Sequence, residues 1–370
     1  MKFTCLQENL SKGLGIVNKA ISIKAPLPIL SNVLIETEDG RLKLSAFNME
    51  TGISTYVGAS VDADGKITVP AKLLNEFVAH LPEGNISGEL KGDVLHLAAG
   101  KTKSKFNGMN ATTYPELPQM TKDLQILELS PKDFSEAIVS VGFSAAIDDS
   151  RPILGGILLN YAKGVLTAAS ADGFRLSERV LNIESAGEPF NVVIPAKTLL
   201  ETARVLGGAE SSIKFALNTT DSLALFEADG VLITTRILPG AFPDYKKLIP
   251  DSTSVSAEFN TADLLEAVKL THVFAKETNS AVNLTFSPDG VIKLAAVSQE
   301  SGDNKSEIDA SVEGDEIEMS FNARFLLDFL NNSKAERLSF STKGSMNPGL
   351  IKPVDEDGYL HIIMPLRITN

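Results

Sequence analysis

The sequence predicts an α+β protein built from three repeated domains, and three observations carry that prediction. A β-prone run feeding a helix is written three times: I-T-V-P-A-K-L-L-N-E-F-V-A-H-L-P at 67–82, V-V-I-P-A-K-T-L-L-E-T-A-R-V-L-G at 192–207, and E-M-S-F-N-A-R-F-L-L-D-F-L-N-N at 318–332. Aligned on Pro70, Pro195 and Asn322, the copies lie 125 and 127 residues apart. A strand-turn-strand pattern keeps the same period, with turns at 38–40, 162–164 and 288–290 and the triplets L-S-A, L-T-A and L-A-A after them. An amphipathic helix opens each copy, at 6–21, 131–146 and 261–276. This period exceeds the roughly 20–50 residues of a solenoid unit and suits domains of ordinary size. The repeats are read as 1–120, 121–250 and 251–370.

In the repeated stretch, Pro70 and Pro195 are expected in the first helical turn, where the missing N–H is no loss, and Asn322 is expected to cap with its side chain. Apolar residues then follow at helical spacing: Leu74, Phe77, Val78 and Leu81; Leu199, Ala203 and Leu206; Leu326, Leu327 and Leu330. Lys72, Lys197 and Arg324 occupy one common offset. Ser130 reads as a helix cap, with Pro131 in the first turn and Asp133 at the capping-box position.

Strands are expected near 33–37, 42–46, 54–61, 86–90 and 94–98 of the first repeat. Lys101, Lys103 and Lys105 alternate with Thr102, Ser104 and Phe106, which puts the lysines on one face of a strand. A lysine-protected sheet edge and an interface are equally good readings. The segment Tyr114-Pro115-Glu116-Leu117-Pro118 reads as an extended linker, echoed by F-P-D-Y-K-K-L-I-P at 242–250. The third repeat carries an acid-rich segment at 299–307 and ends in an apolar strand that runs almost to Asn370.

With 370 residues, 43% of them hydrophobic, the chain can bury substantial cores. Its net charge of −13 gives no global sign of nucleic-acid binding. A lone cysteine, Cys5, excludes an intrachain disulfide and fits a reducing compartment. The first residues lack the apolar run of a signal peptide, and no stretch approaches the roughly 20 apolar residues of a membrane span. A cytoplasmic location is expected.

Catalytic chemistry finds no seat. His80, His96, His272 and His361 lie in no metal-ligand spacing, and the Gly13-Leu14-Gly15 fragment completes no nucleotide fingerprint. Asp148-Asp149 and Asp172-Gly173 read first as turns. Arg151, Asp172 and Arg175 cluster in the second repeat without a nucleophile or base beside them. No cofactor or metal is expected. The six helical stretches together hold two more basic than acidic residues, so the rest of the chain stands at −15 against −13 for the whole. Helices on one surface and acidic sheets on another would follow. A cytoplasmic hydrolase or transferase on a repeat scaffold, and an interaction scaffold that does not touch DNA, are the readings from other classes.

Ordered motifs along the whole chain now point to a family: M-K-F at 1–3, P-L-P-I-L at 26–30, V-P-A-K at 69–72, A-D-G-F-R-L at 171–176, F-P-D-Y-K-K-L-I-P at 242–250 and M-P-L-R at 364–367. In their order and spacing the chain resembles the bacterial sliding clamps, the β subunits of DNA polymerase III. It departs from the usual pattern at Ala171, where a small polar residue is common, at Phe174, often histidine, and in the extra residues Ile368-Thr369-Asn370.

The resemblance implies three clamp domains, each of two helices against two antiparallel sheets, in a protomer that closes head to tail with a second copy. Twelve helices spaced about 8–10 Å apart would line a channel roughly 26 Å wide after their side chains are subtracted, enough for a duplex. It implies a non-catalytic processivity factor that encircles double-stranded DNA without base readout and tethers polymerase subunits, the clamp loader and repair proteins through short peptides. The implied peptide groove comprises Arg151, Leu154, Ala171, Gly173, Phe174, Arg175, Leu176, Pro243, Leu248, Ile362, Met364, Pro365, Leu366 and Arg367. Leu154, Leu176, Leu248 and Met364 also read independently as apolar residues set beside turns, and Arg151 and Arg175 as ligand holders. The implied homodimer junction sets Lys103, Lys105 and Phe106 against Val273, Phe274, Glu300 and Glu307. Lys24 matches a DNA-touching loop position of the family. Lys72, Lys197, Arg204 and Arg324 are assigned to DNA from helix location.

Overall fold

The computed structural model describes residues 1–22, 27–148, 150–184, 187–298, 300 and 302–367. Lys24, Asp149, Gln299, Ser301 and the 368–370 extension lie outside the described residues. The six expected helices are present: α1 (Gln7–Val17), α2 (Ala71–Ala79), α3 (Pro131–Gly142), α4 (Ala196–Leu206), α5 (Thr261–Ala275) and α6 (Ala323–Asn332). Each strand-to-helix stretch forms as read, from Lys66–Pro70 into α2, Phe190–Pro195 into α4 and Ile317–Asn322 into α6.

Pro70 and Pro195 stand one residue ahead of their helices, not inside the first turn. They close strands instead: Pro70 pairs with Asn32 and Pro195 with Gly156, and a strand end tolerates the missing N–H. Asn322 caps α6 by accepting the Arg324 N–H at 2.9 Å. Ser130 Oγ accepts the Asp133 N–H at 3.4 Å ahead of α3, and Asn260, unread in the sequence, caps α5. The apolar helical positions face inward: Leu74, Val78, Leu199, Ala203, Leu206, Leu326 and Leu330 are all buried. Lys72, Lys197 and Arg324 are exposed.

Within the hairpin turns, Asp39 and Gly40, like Lys163 and Gly164, both take positive φ. That backbone matches strand twist at a two-residue turn and suits glycine at its second position. The strand expected at 54–61 is broken at Gly58 into Thr51–Val57 and Ala59–Ala63. Its third-repeat counterpart is a single strand, Gly302–Glu313, which pairs with Val291–Ser298 over its first part and with Val255–Asn260 over its last residues.

The repeats are stitched by β-ladders that the sequence did not announce. Strand Val231–Arg236 of the second repeat pairs antiparallel with Thr51–Val57 of the first. Strand Arg175–Asn182 of the second pairs antiparallel with Tyr359–Ile363 of the third. An eight-stranded and a twelve-stranded sheet therefore each run through two repeats, and a five-stranded sheet belongs to the first alone. By compactness the chain falls into two units, residues 1–135 with 201–237, and residues 136–200 with 238–370. The middle repeat is thus divided, and α3 and α4 each cross the division.

The linker segments are anchored, not merely extended. Tyr114 is buried, and its hydroxyl lies 3.5 Å from the Ser45 carbonyl oxygen. Tyr245, in a short 3-10 turn, is buried against the core that contains Leu176 and Ile362. Its hydroxyl donates to Glu178, which also receives Lys246 Nζ at 2.6 Å. Burial and that carboxylate push the Tyr245 hydroxyl pKa upward, so it stays a donor.

Candidate partner-binding site

The site is built on the turn between strands Val165–Ala171 and Arg175–Asn182. Asp172 organises it. One carboxylate oxygen accepts the N–H groups of Phe174 at 2.8 Å and Arg175 at 3.0 Å, and the other accepts Arg175 Nε at 3.0 Å. Gly173 adopts φ +94°, and a Cβ there would lie 2.5 Å from Arg151 Nη2. The glycine is required twice over, by its backbone and by the arginine, whose Nη2 donates to the Asp172 carbonyl at 3.0 Å. The sequence reading passed over Asp172 as a turn residue; an aspartate that bonds its own backbone two residues on is what such turns use.

Held this way, Phe174 projects with 60% of its surface exposed. Its ring stacks on Phe325 of α6, centroids 6.3 Å apart, and its carbonyl accepts the Met364 N–H at 2.8 Å. Two residues on, the Leu366 N–H donates to the Ser320 carbonyl at 2.7 Å. The segment from Met364 to Leu366, half-buried throughout, is thereby moored beside the turn. Phe325 was not read from the sequence. Only its place on a helix was legible, and its contact with Phe174 spans 151 residues.

The floor is apolar. Leu158, Ala169, Leu176, Val193, Tyr245, Leu350 and Ile362 form one buried cluster, with Ala171, Phe242 and Ile249 packed against it. Leu154, Leu176 and Ile362 are only 1–2% exposed. Leu154 and Leu176, read as apolar residues beside turns, are buried: Leu176 is turned inward on its strand, paired with Ile362 across the ladder, and Leu154 sits in the short 3-10 turn Pro152–Gly155. Leu248, at 48%, is exposed, as are Pro243, Arg151 and Arg367. Pro243 and Leu248 flank the anchored Tyr245.

Arg175 also departs from expectation. Its side chain is 5% exposed, salt-bridged to Asp172 and, at 2.6 Å, to Asp328 of α6. Its guanidinium lies 4.5 Å over the Phe325 ring. It is a strut inside the protein and is not free to hold a ligand. His361 lies beneath, fully buried, with Nδ1 2.8 Å from Ser177 Oγ. Burial, helped by the nearby Arg175 charge, holds its pKa down at about 3.

Of the residues assigned to DNA, Lys72, Lys197, Arg204 and Arg324 are exposed on α2, α4 and α6. Arg204 lies 3.3 Å from Glu201. Of those assigned to a dimer junction, Lys103, Lys105, Val273, Glu300 and Glu307 are exposed and Phe274 is half-buried. Phe106 is buried and meets Phe77 edge-to-face at 5.3 Å. Its ring already serves the core of its own unit. Leu270, one helical turn from Val273 and 53% exposed, extends the apolar face of α5.

Two of the strand edges bear on how copies could join. The first-repeat strand Thr51–Val57 is paired on both sides, by Arg41–Phe47 and by Val231–Arg236. Its second-repeat equivalent, Arg175–Asn182, is likewise flanked by Val165–Ala171 and Tyr359–Ile363. The third-repeat equivalent, 302–309, has Val291–Ser298 on one side and no further strand among the described residues. Thr102–Asn107, the first-repeat counterpart of Val231–Arg236, is correspondingly one edge of the five-stranded sheet. Among the described residues no three metal-ligating side chains converge, and no helix is long and apolar enough to cross a membrane.

Comparison with known proteins matches the whole of this architecture. Family models described as the N-terminal, central and C-terminal domains of the DNA polymerase III beta subunit match residues 1–118, 128–244 and 246–367. Proteins named beta sliding clamp from Streptomyces coelicolor and a Synechocystis species are 31% and 30% identical, each covering 100% of both chains. A solved DNA polymerase sliding clamp from Bacillus subtilis superposes with a TM-score of 0.95 at 26% identity, again over 100% of both chains.

Proposed function

Because the chain belongs to the DNA polymerase III beta subunit family, and is a sliding clamp without catalytic function, we propose that two copies close head to tail into a ring around duplex DNA. The observation that carries this reading is the pair of open edges. Two ladders already join the last strand of one repeat to the equivalent strand of its neighbour, and a second copy can supply the third joint by the same pairing. Such a heterologous contact makes a ring when its rotation closes.

In this reading Lys72, Lys197, Arg204 and Arg324 face the channel. Phosphate attraction is long-range and carries no register, so a mildly basic lining holds DNA without stopping it from sliding. The acidic remainder of the surface repels DNA elsewhere. Retention is topological, and the ring lends it to whatever is docked on it.

The docking place we propose is the Phe174 site. Extended peptides from polymerase subunits, the clamp loader and repair proteins would lie over the apolar floor, between Phe174, Leu248 and the Met364–Arg367 tail, with Arg151 at the rim. Met364 suits several ligands because its side chain is flexible and polarizable. A cytoplasmic setting agrees with these partners. The test is retention after loading on nicked circular versus linear DNA. Loss from linear ends with persistence on circles is expected; equal retention on both would overturn the ring reading.

A further inference from the structure

We propose that Asp328 of α6 is a positioning residue for partner binding, acting through Arg175 on the turn that presents Phe174. This rests on the reading of the Phe174 site given above. Arg175 brings a charge into a nearly closed space, and a buried guanidinium is tolerated only when paired and hydrogen-bonded. Asp172 meets Nε at 3.0 Å and Asp328 meets Nη1 at 2.6 Å. The same guanidinium lies over Phe325 at 4.5 Å and within 5.7 Å of the Phe143 ring. Phe325 and Asp328 are three residues apart on α6, hence on one face of the helix.

That face therefore makes two contacts with the binding turn. Phe325 supports the Phe174 ring directly. Asp328 fixes Arg175, whose Nε holds the Asp172 carboxylate, which in turn accepts the Phe174 N–H. Without Asp328 the guanidinium keeps one counter-charge and loses the partner of Nη1. It then turns toward water or draws Asp172 with it, and either movement releases the turn. Asp328 itself is half exposed, so its own removal leaves no buried charge on α6.

The experiment is a double-mutant cycle on the full dimer, using a fluorescein-labelled clamp-binding peptide of the replicative polymerase and fluorescence anisotropy. Asp328→Ala should weaken binding about tenfold, the scale of one charge-assisted hydrogen bond, and Asp328→Glu should recover most of it. In a Phe174→Ala background, itself weakened, Asp328→Ala should change affinity less than twofold. Undiminished loss in that background, or no loss in the single variant, overturns the proposal. If Phe174→Ala alone leaves affinity unchanged, it is the underlying site reading that fails. Asp328→Asn, which keeps the side-chain shape, serves if Asp328→Ala does not fold, with the same expected outcomes.

Discussion

Ile53 of the first repeat stands directly opposite Ile233 of the second, and both side chains are buried at the ladder that joins the two repeats. The hairpin that supplies Ile233 closes through a two-residue turn after Ala228, and the hairpin that ends in Thr102–Asn107 closes the same way after Ala99. Leu232 thus corresponds to Lys103. On the facing strand, Ser54 corresponds to Lys305, because Ser45 and Ala295 occupy the same place in the repeated triplet. Copying this joint to two protomers sets Lys105 opposite Asp303 and Lys101 opposite Glu307. Lys105→Glu should weaken the dimer by about 1 kcal/mol, roughly fivefold in Kd, and Asp303→Lys in the same chain should restore it. Sedimentation equilibrium reads both. Rescue of Lys103→Glu instead would mean that the joint follows the other intrachain ladder, two residues out of step.

In the proposed ring the apolar part of this junction would rest on α5. Leu270 and Val273 are more than half exposed on one helical face, while Phe274 and Phe106 already pack within their own units. Leu270→Lys with Val273→Lys should give monomers at submicromolar concentration with a thermal midpoint little changed, since no core contact is lost. A variant that stays dimeric would move the apolar contact off α5.

For the channel, Lys72→Glu, Lys197→Glu and Arg324→Glu together should slow loading and reduce the salt dependence of DNA association, at about 0.9 in log–log slope per phosphate contact removed. The dimer mass should not change. An unaltered slope would show that these exposed helix faces do not meet phosphate.

The comparison of sequence with structure divides along chemical range. Helix pairs, the Ser130 and Asn322 caps and the repeated strand-to-helix stretch were legible, because periodicity and capping are local. Tyr114 and Tyr245 were not legible as anchors, since their partners Ser45 and Glu178 lie 69 and 67 residues away. Arg175 read as a free ligand holder because nothing local announces Asp328, 153 residues on. Leu176 sits beside a turn, yet the strand carrying it is paired with Tyr359–Ile363 of the third repeat. The resemblance suggested the site; only the fold separates its buried floor from its exposed rim.

Gly173 offers a direct probe of that rim. Gly173→Ala places a Cβ against Arg151 Nη2 and strains a left-handed backbone, at a cost of about 1–2 kcal/mol. Displacement of Arg151 and of the Phe174 turn should lower peptide affinity severalfold in anisotropy, with dimer mass and DNA loading intact. Normal affinity in a folded Gly173→Ala ring would remove the turn from the binding surface.

His361 makes the protein's stability sensitive to acid. The native imidazole stays neutral down to about pH 3, whereas in the unfolded chain it takes a proton near pH 6.5. Between those values the unfolded state binds the extra proton, so stability falls as pH falls, by up to about 1.4 kcal/mol per pH unit from this one group. Above pH 6.5 neither state is protonated and the contribution vanishes. The ring cannot escape by moving: it stacks on Phe329 at 4.6 Å and bonds Ser177 Oγ, which is itself 2.8 Å from Ser144 Oγ. His361→Asn loses that packing at every pH but carries no titrating group. Urea unfolding at fixed protein concentration should therefore show the wild-type advantage over His361→Asn shrinking from pH 7.5 to pH 5, as the shared carboxylates cancel between the two proteins. An advantage that is constant across that range would mean the buried imidazole is protonated in the native state as readily as in the unfolded one.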